Sequence, residues 1–129
     1  MSVLLDTHIL LWALLEPDRL SERQRQLFVS SSCQIWLSPI TTWECLLLAE
    51  RKRVDLSPDP GSWIVEARRR TGAREAPLTH AVALQSRLVL LSHQDPADRF
   101  LAATAAVYDL PLVTADERLL NGQGFPLWR

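Results

Sequence analysis

Residues 3–7 read Val-Leu-Leu-Asp-Thr, which is the pattern of a short buried strand that ends at a polar turn. An uninterrupted apolar run is typical of a strand that is covered on both faces. The apolar residues 9–15 follow directly, and Thr7 can cap a helix over them that ends before Pro17. A buried strand that leads straight into a helix predicts an α/β fold with a parallel sheet.

The same alternation continues along the chain. Further strands are predicted at residues 35–38, 73–77 and 112–114, with a possible edge strand at 125–128. Further helices are predicted from Ser21, from Thr41 or Thr42 to about 51, and over 61–71, 79–88, 95–108 and 116–120. We therefore expect one α/β domain over residues 1–129, with three layers and a central parallel sheet of about four or five strands flanked by helices.

Composition excludes several classes of protein. The apolar run 9–15 is too short to span a bilayer, and the amino terminus lacks the features of a signal peptide. The two cysteines, Cys33 and Cys45, do not have zinc-site spacing and are too few to suggest a disulfide framework, so we expect a protein of the reducing cytoplasm. The net charge of −1 does not by itself indicate nucleic-acid binding. Only Lys52 among the 14 basic residues is lysine, which fits either phosphate recognition by arginine or codon bias.

Four acidic residues each stand where an apolar stretch meets a turn or a polar helix face: Asp6, Glu44, Asp98 and Asp116. In a parallel α/β sheet, the carboxyl ends of the strands share one edge, and ligands bind in the crevice there. Carboxylates gathered at that edge repel one another unless a hard divalent cation holds them, and oxygen ligands favour Mg²⁺ or Mn²⁺. The pattern indicates a metal-dependent phosphodiester hydrolase.

Each of these acids also has a purely structural interpretation. Asp6 and Asp98 can be helix caps, Glu44 a solvated surface residue, and Asp116 the cap of the helical turn that follows it. The hydrolase interpretation therefore rests on all four acids occurring together. Asp95 is assigned to capping, because Pro96 follows it at the first helical position.

Other polar features carry less weight. His8 and His93 border the proposed site, where a histidine could act as a general base, but a capping or packing role is favoured for each of them. The basic runs 51–53 and 68–70 are taken as solvated helix faces, with contacts to RNA or a protein partner left open.

Four segments of the chain together are similar to a known family: Leu4–Trp12, Trp43-Glu44, His93–Phe100 and Leu112–Leu120. In order and spacing they resemble the PIN-domain ribonucleases, and most of all the VapC-like toxins of bacterial toxin–antitoxin pairs. The resemblance implies a PIN-like fold in which Asp6, Glu44, Asp98 and Asp116 are the metal-binding and catalytic acids and Thr114 supports them. It also implies dependence on Mg²⁺ or Mn²⁺, cleavage of RNA, dimer formation and control by a cognate antitoxin. Ala97 departs from the pattern, since many relatives carry an aromatic residue there.

Two functions of different class follow. The first is a metal-dependent endoribonuclease toxin, and the second is a catalytically silent PIN-like module that binds a protein partner. The presence of all four acids favours the enzyme. An aspartyl-phosphate phosphatase is set aside, because His8 occupies the place of its second aspartate. The apolar first helix with Trp12 predicts surplus hydrophobic surface and hence a homodimer.

Overall fold

The computed structural model describes residues 1–129 as four strands that alternate with seven α-helices. The elements are β1 (Ser2–Leu5), α1 (Thr7–Leu15), α2 (Glu22–Val29), β2 (Gln34–Leu37), α3 (Pro39–Glu50), α4 (Pro60–Thr71), β3 (Arg74–Glu75), α5 (His80–Gln85), α6 (Pro96–Tyr108), β4 (Leu112–Val113) and α7 (Glu117–Leu120). This arrangement confirms the predicted α/β class. No helix has the length and apolarity needed to cross a membrane.

The sheet is parallel throughout, and its strand order is β3-β2-β1-β4. From β1 the chain adds β2 and then β3 on one side, and it returns to place β4 on the other side. The direction of strand addition thus reverses between β1 and β4. A crevice opens at such a reversal beyond the carboxyl ends of the strands, which is where α/β proteins bind ligands.

The central strand separates two hydrophobic cores. Successive side chains of a strand point to opposite faces, so Val3 and Leu5 pack in one core and Leu4 packs in the other. Residues from α1, α2, α3 and α4 fill the first core, whereas α6 and α7 supply helical residues to the second. The structure therefore has the three expected layers, with the sheet between two layers of helices. Because both faces of β1 are covered, its end is fixed firmly enough to position a functional side chain.

Two helix starts differ from the sequence prediction. Asp6, and not Thr7, is the N-cap of α1, since its side chain accepts a hydrogen bond from the Thr7 backbone N–H. Helix α3 begins three or four residues earlier than the prediction with Thr41 or Thr42 as its cap, because Ser38 caps it and Pro39 occupies its first position. A proline there loses no helical hydrogen bond and brings a helix-compatible φ.

Three other elements are shorter than predicted, and the first is β3, which covers Arg74–Glu75 and not 73–77. Helix α5 ends at Gln85 and does not continue to Leu88. The buried guanidinium of Arg99 on α6 binds the carbonyl groups of Ser86 and Val89, which directs these groups towards α6. The possible edge strand at 125–128 is reduced to a single parallel bridge from Leu127 to β4.

Candidate active site

The four predicted acids meet in one crevice at the carboxyl edge of the sheet. We call this cavity of about 390 Å³ the acidic crevice. Its lining residues are Asp6, His8, Trp12, Arg19, Glu44, Asp95, Asp98, Ala115, Asp116 and Arg118. The acids come from the ends of β1 and β4 and from the early turns of α3 and α6, so the fold assembles residues that are far apart in sequence.

Asp6 is the most buried of the four acids, and only 6% of its surface is exposed. Its Oδ1 accepts a hydrogen bond of 2.8 Å from the Thr7 N–H, and its Oδ2 accepts one of 2.7 Å from the Thr114 hydroxyl. Burial raises the pKa of Asp6 to about 7, and the charges of Asp98 and Glu44 add to this rise. The bonds from Thr114 and Thr7 oppose the rise. Without a nearby cation, the ionised carboxylate is therefore unfavourable here.

Glu44 lies beside Asp6 in the first half of α3. The hydroxyl of Thr7 donates a hydrogen bond of 2.5 Å to Glu44 Oε1, which ties α3 to the start of α1. Burial raises the pKa of Glu44, and the negative charges of Asp98 and Asp95 reinforce this effect against the Thr7 hydrogen bond. Glu44 is thus a partly buried member of the crevice and not the solvated surface residue of the alternative interpretation.

Asp98 occupies the first turn of α6, and its side chain is 10% exposed. The cap of this helix is Asp95, as predicted, which leaves the Asp98 carboxylate free to face the crevice. His93 Nε2 lies 2.6 Å from Asp98 Oδ2. Burial raises the pKa of Asp98, and the hydrogen bond with His93 only partly offsets it. His93 therefore contacts one of the four acids directly, a contact that the capping or packing interpretation did not include.

Asp116 is both a helix cap and a member of the crevice. It accepts a hydrogen bond of 2.9 Å from the Arg118 N–H at the start of α7. The Arg118 guanidinium lies 3.2 Å from Asp116 Oδ2 and 3.7 Å from Asp98 Oδ2, so one cation bridges the two carboxylates. Burial acts to raise the pKa of Asp116, but the hydrogen bonds from Arg118 outweigh it and leave this pKa below its ordinary value.

The chemistry of the crevice fits a divalent cation. Its acidic donors are all oxygen atoms, the ligands that Mg²⁺ and Mn²⁺ prefer. Three of the four acids have raised pKa values, which a bound cation would lower. In the present arrangement no three acidic, histidine or cysteine side chains meet as ligands of one ion. Instead, Thr7 binds Glu44, and His93 and Arg118 hold the carboxylates of α6 and α7.

The mouth of the crevice carries residues that the sequence prediction did not assign to the site. The Arg19 guanidinium lies 4.5 Å above the Trp12 ring, and the centre of the exposed His8 ring lies 6.0 Å from the centre of the same Trp12 ring. Helix α1 packs on its own domain through Ile9 and Leu10. Trp12 is only half-buried and Leu15 at the end of α1 is 40% exposed, so part of the apolar surface of α1 stays uncovered and the homodimer remains a prediction. No sequence pattern identifies Arg19 as part of the site, because only the turn after α1 brings its side chain back to the Trp12 ring.

The chain is similar in sequence to proteins of known family. The family profile described as PIN domain matches residues 3–123. Ribonuclease VapC22 of Mycobacterium tuberculosis (strain ATCC 25618 / H37Rv) is 36% identical over 121 residues, which cover 92% of this chain and 89% of that protein.

Two solved structures share the fold. The first is VapBC2 from Rickettsia felis bound to a DNA fragment from their promoter, with a TM-score of 0.73 and 16% identity, covering 99% of this chain and 98% of that one. The second is VapBC-1 from nontypeable Haemophilus influenzae, with a TM-score of 0.62 and 18% identity, covering 100% of this chain and 97% of that one.

Proposed function

The chain belongs to the PIN-domain family, and on this premise we propose that it is a Mg²⁺- or Mn²⁺-dependent endoribonuclease, the toxin of a toxin–antitoxin pair. It would hydrolyse RNA phosphodiester bonds in the cytoplasm as a single PIN-like domain over residues 1–129. The observation that carries the proposal is the convergence of Asp6, Glu44, Asp98 and Asp116 on one crevice. The named relative, Ribonuclease VapC22, supports the choice of RNA as the substrate.

Asp6, Glu44, Asp98 and Asp116 would hold the ion. When bound, it would polarise a phosphoryl oxygen and lower the pKa of the attacking water. The chain's own contribution is to keep these carboxylates in place. Thr7 N–H and Thr114 O–H fix both oxygens of Asp6, and the Thr7 hydroxyl orients Glu44.

Arg118, the basic residue of α7, lies directly against two of the acids. Its guanidinium holds Asp116 and Asp98 together, and its side chain is 54% exposed. Arginine presents a planar array of donors that matches a phosphate group. We assign Arg118 two roles, namely to reduce the repulsion between the two acids and to donate hydrogen bonds to the RNA phosphate as it enters.

A toxin of this kind needs a partner that keeps it inactive. The two structural neighbours are VapBC complexes, which supports a cognate antitoxin for this chain. We propose that a basic side chain of the antitoxin enters the acidic crevice, because a buried carboxylate cluster binds a guanidinium or ammonium group strongly. The antitoxin cation would then stand where the metal ion acts.

We also propose a homodimer, with an interface formed by the end of α5 and the residues that follow it. Three large apolar side chains are exposed within one short segment at the end of α5 and beyond it: Leu84 at 73%, Leu88 at 67% and Leu90 at 62%. A second copy of the chain would remove this apolar surface from water. The segment lies outside the acidic crevice, so a dimer would leave the site accessible.

The function is tested by incubating purified protein, freed of any partner, with total RNA and Mg²⁺ or Mn²⁺. The wild type is expected to cut RNA, and chelation by EDTA or the exchange Asp98→Asn is expected to abolish cleavage. Asp18→Asn is the matched control, because Asp18 is an exposed aspartate outside the crevice. If the wild type cuts nothing with either ion, or if Asp98→Asn cuts as well as the wild type, the nuclease proposal fails. The silent binding module then explains the chain better.

A further inference from the structure

A second cavity adjoins the acidic crevice at the mouth. This side cavity, of about 250 Å³, lies between α1, the turn after it, and the end of α3. Its lining residues are His8, Leu11, Trp12, Leu15, Glu16, Arg19, Leu48, Arg53 and Val54. His8, Trp12 and Arg19 line both cavities, so the side cavity is the direct neighbour of the acidic crevice.

The walls of the side cavity combine aromatic rings with guanidinium groups. Arg19 covers the Trp12 ring, and its own side chain is 57% exposed. The only ion pair of Arg19 is with Glu16 at 3.6 Å, and both partners are exposed, so this pair is weak and leaves the Arg19 donors available. Arg53, on the opposite wall, is exposed and forms no ion pair.

From this arrangement we propose that the side cavity is a nucleotide-binding subsite, which takes one unpaired RNA base against His8, Trp12 and Arg19 and its phosphate against Arg19 and Arg53. The proposal rests on the proposed function and specifies its substrate as RNA that is unpaired beside the cleaved bond. Aromatic rings and guanidinium planes are the surfaces on which proteins stack unpaired bases.

Charge favours RNA as the occupant. An acidic crevice repels a phosphate backbone, so an RNA strand must be held by cations on either side of the acids. The structure offers Arg118 on the side of α7, and Arg19 with Arg53 on the side of α1. A strand that crosses the crevice between these cations would bring one nucleotide to the side cavity. A base paired in a duplex could not present its face to the rings, so the nucleotide must be unpaired.

The test measures binding to metal-free protein in EDTA, so that cleavage plays no part. A labelled short oligouridine RNA is compared, by fluorescence anisotropy, with an abasic oligomer that carries the same number of phosphates. In the wild type, the oligouridine should bind about tenfold or more tightly than the abasic oligomer, because stacking requires a base. Equal binding of the two oligomers, or no binding of either, would overturn the proposal.

Variants of the lining residues test whether the preference for oligouridine over the abasic oligomer arises in the side cavity. Trp12→Leu and His8→Ala should each weaken oligouridine binding about fivefold or more and leave abasic binding within about twofold. Arg19→Ala should weaken both oligomers and make binding less dependent on salt. The matched control is Arg23→Ala, which removes a guanidinium that lies 4.9 Å above the Trp128 ring, outside both cavities.

His8 is exposed, so His8→Ala remains informative even if Trp12→Leu fails to fold. If His8→Ala and Arg19→Ala bind oligouridine as the wild type does, the subsite is refuted, even if the protein cuts total RNA. If both variants lose base-dependent binding but the wild type cuts no RNA, the subsite stands and the nuclease proposal fails. If these variants lose a dimer or a protein partner while RNA binding is unchanged, the side cavity serves protein contacts and the proposal is overturned.

Discussion

Replacing Asp6 by Asn should stabilise the metal-free protein at neutral and alkaline pH. Asn keeps the shape of the side chain and can still accept the hydrogen bond from the Thr7 N–H. It removes a carboxylate that is 6% exposed and whose pKa is raised from 3.8 to about 7 by burial. The wild type must ionise this buried group above pH 7, whereas the amide of the variant stays neutral.

The size of the effect follows from the two pKa values of Asp6. Between about pH 4 and pH 7 the folded protein holds a proton that the unfolded chain has released, so the free energy of unfolding falls as the pH rises. At 1.36 kcal/mol per pKa unit, the loss reaches about 4 kcal/mol near pH 8. The variant avoids this loss but weakens the hydrogen bond from Thr114, which costs about 1 kcal/mol. A net stabilisation of about 3 kcal/mol remains, which corresponds to roughly 10 °C in Tm.

Thermal and urea unfolding in EDTA check this prediction. The advantage of Asp6→Asn should be large near pH 8 and should vanish near pH 4.5, where the loss in the wild type has fallen to about 1 kcal/mol and equals the cost of the weakened hydrogen bond from Thr114. Millimolar Mn²⁺ should stabilise the wild type and narrow the gap, since a cation favours the ionised Asp6. Asp18→Asn, at an exposed position, should change little at either pH. The reasoning is refuted if Asp6→Asn is no more stable than the wild type in EDTA near pH 8.

Three further predictions concern other parts of the molecule. Arg99→Lys should lower the free energy of unfolding by roughly 2–4 kcal/mol in urea titrations, because the single ammonium nitrogen of lysine cannot reach the three carbonyl groups that three guanidinium nitrogens bind. An unchanged unfolding midpoint would contradict this. Arg118→Ala should tighten Mn²⁺ binding severalfold in calorimetry, since it removes a cation that competes for two carboxylates; weaker binding would count against that role. Leu88→Glu should convert the dimer to a monomer in size-exclusion chromatography with light scattering, and a wild type that is already monomeric would refute the dimer.

The sequence contains strong local signals for the ends of β1 and β4. Each apolar run stops at a polar residue, and in a parallel sheet such positions share one edge, so Asp6 and Asp116 could be placed together without a structure. The cap at Asp95 was equally predictable, because Pro96 follows it. These predictions depend on interactions within a few residues, which the sequence records directly.

Contacts between distant segments were not predictable in the same way. The Thr7 hydroxyl meets Glu44, and Arg118 bridges to Asp98, only because the fold brings separate elements together. The early end of α5 likewise depends on Arg99 from the next helix. In each case the contact joins residues of separate elements, so no pattern within either segment reports it.

The central claim is that four acids from separate segments form one site for a divalent cation, and a Mn²⁺ titration of the metal-free protein tests it most directly. Isothermal titration calorimetry near pH 8 would compare the wild type, Asp18→Asn, and four variants in which each crevice acid is exchanged for its amide. We predict that the wild type and Asp18→Asn bind Mn²⁺ equally, and that each crevice variant binds it about tenfold or more weakly, since each loses an anionic ligand. A wild type that binds no Mn²⁺, or crevice variants that bind it as tightly as the wild type, would contradict the claim.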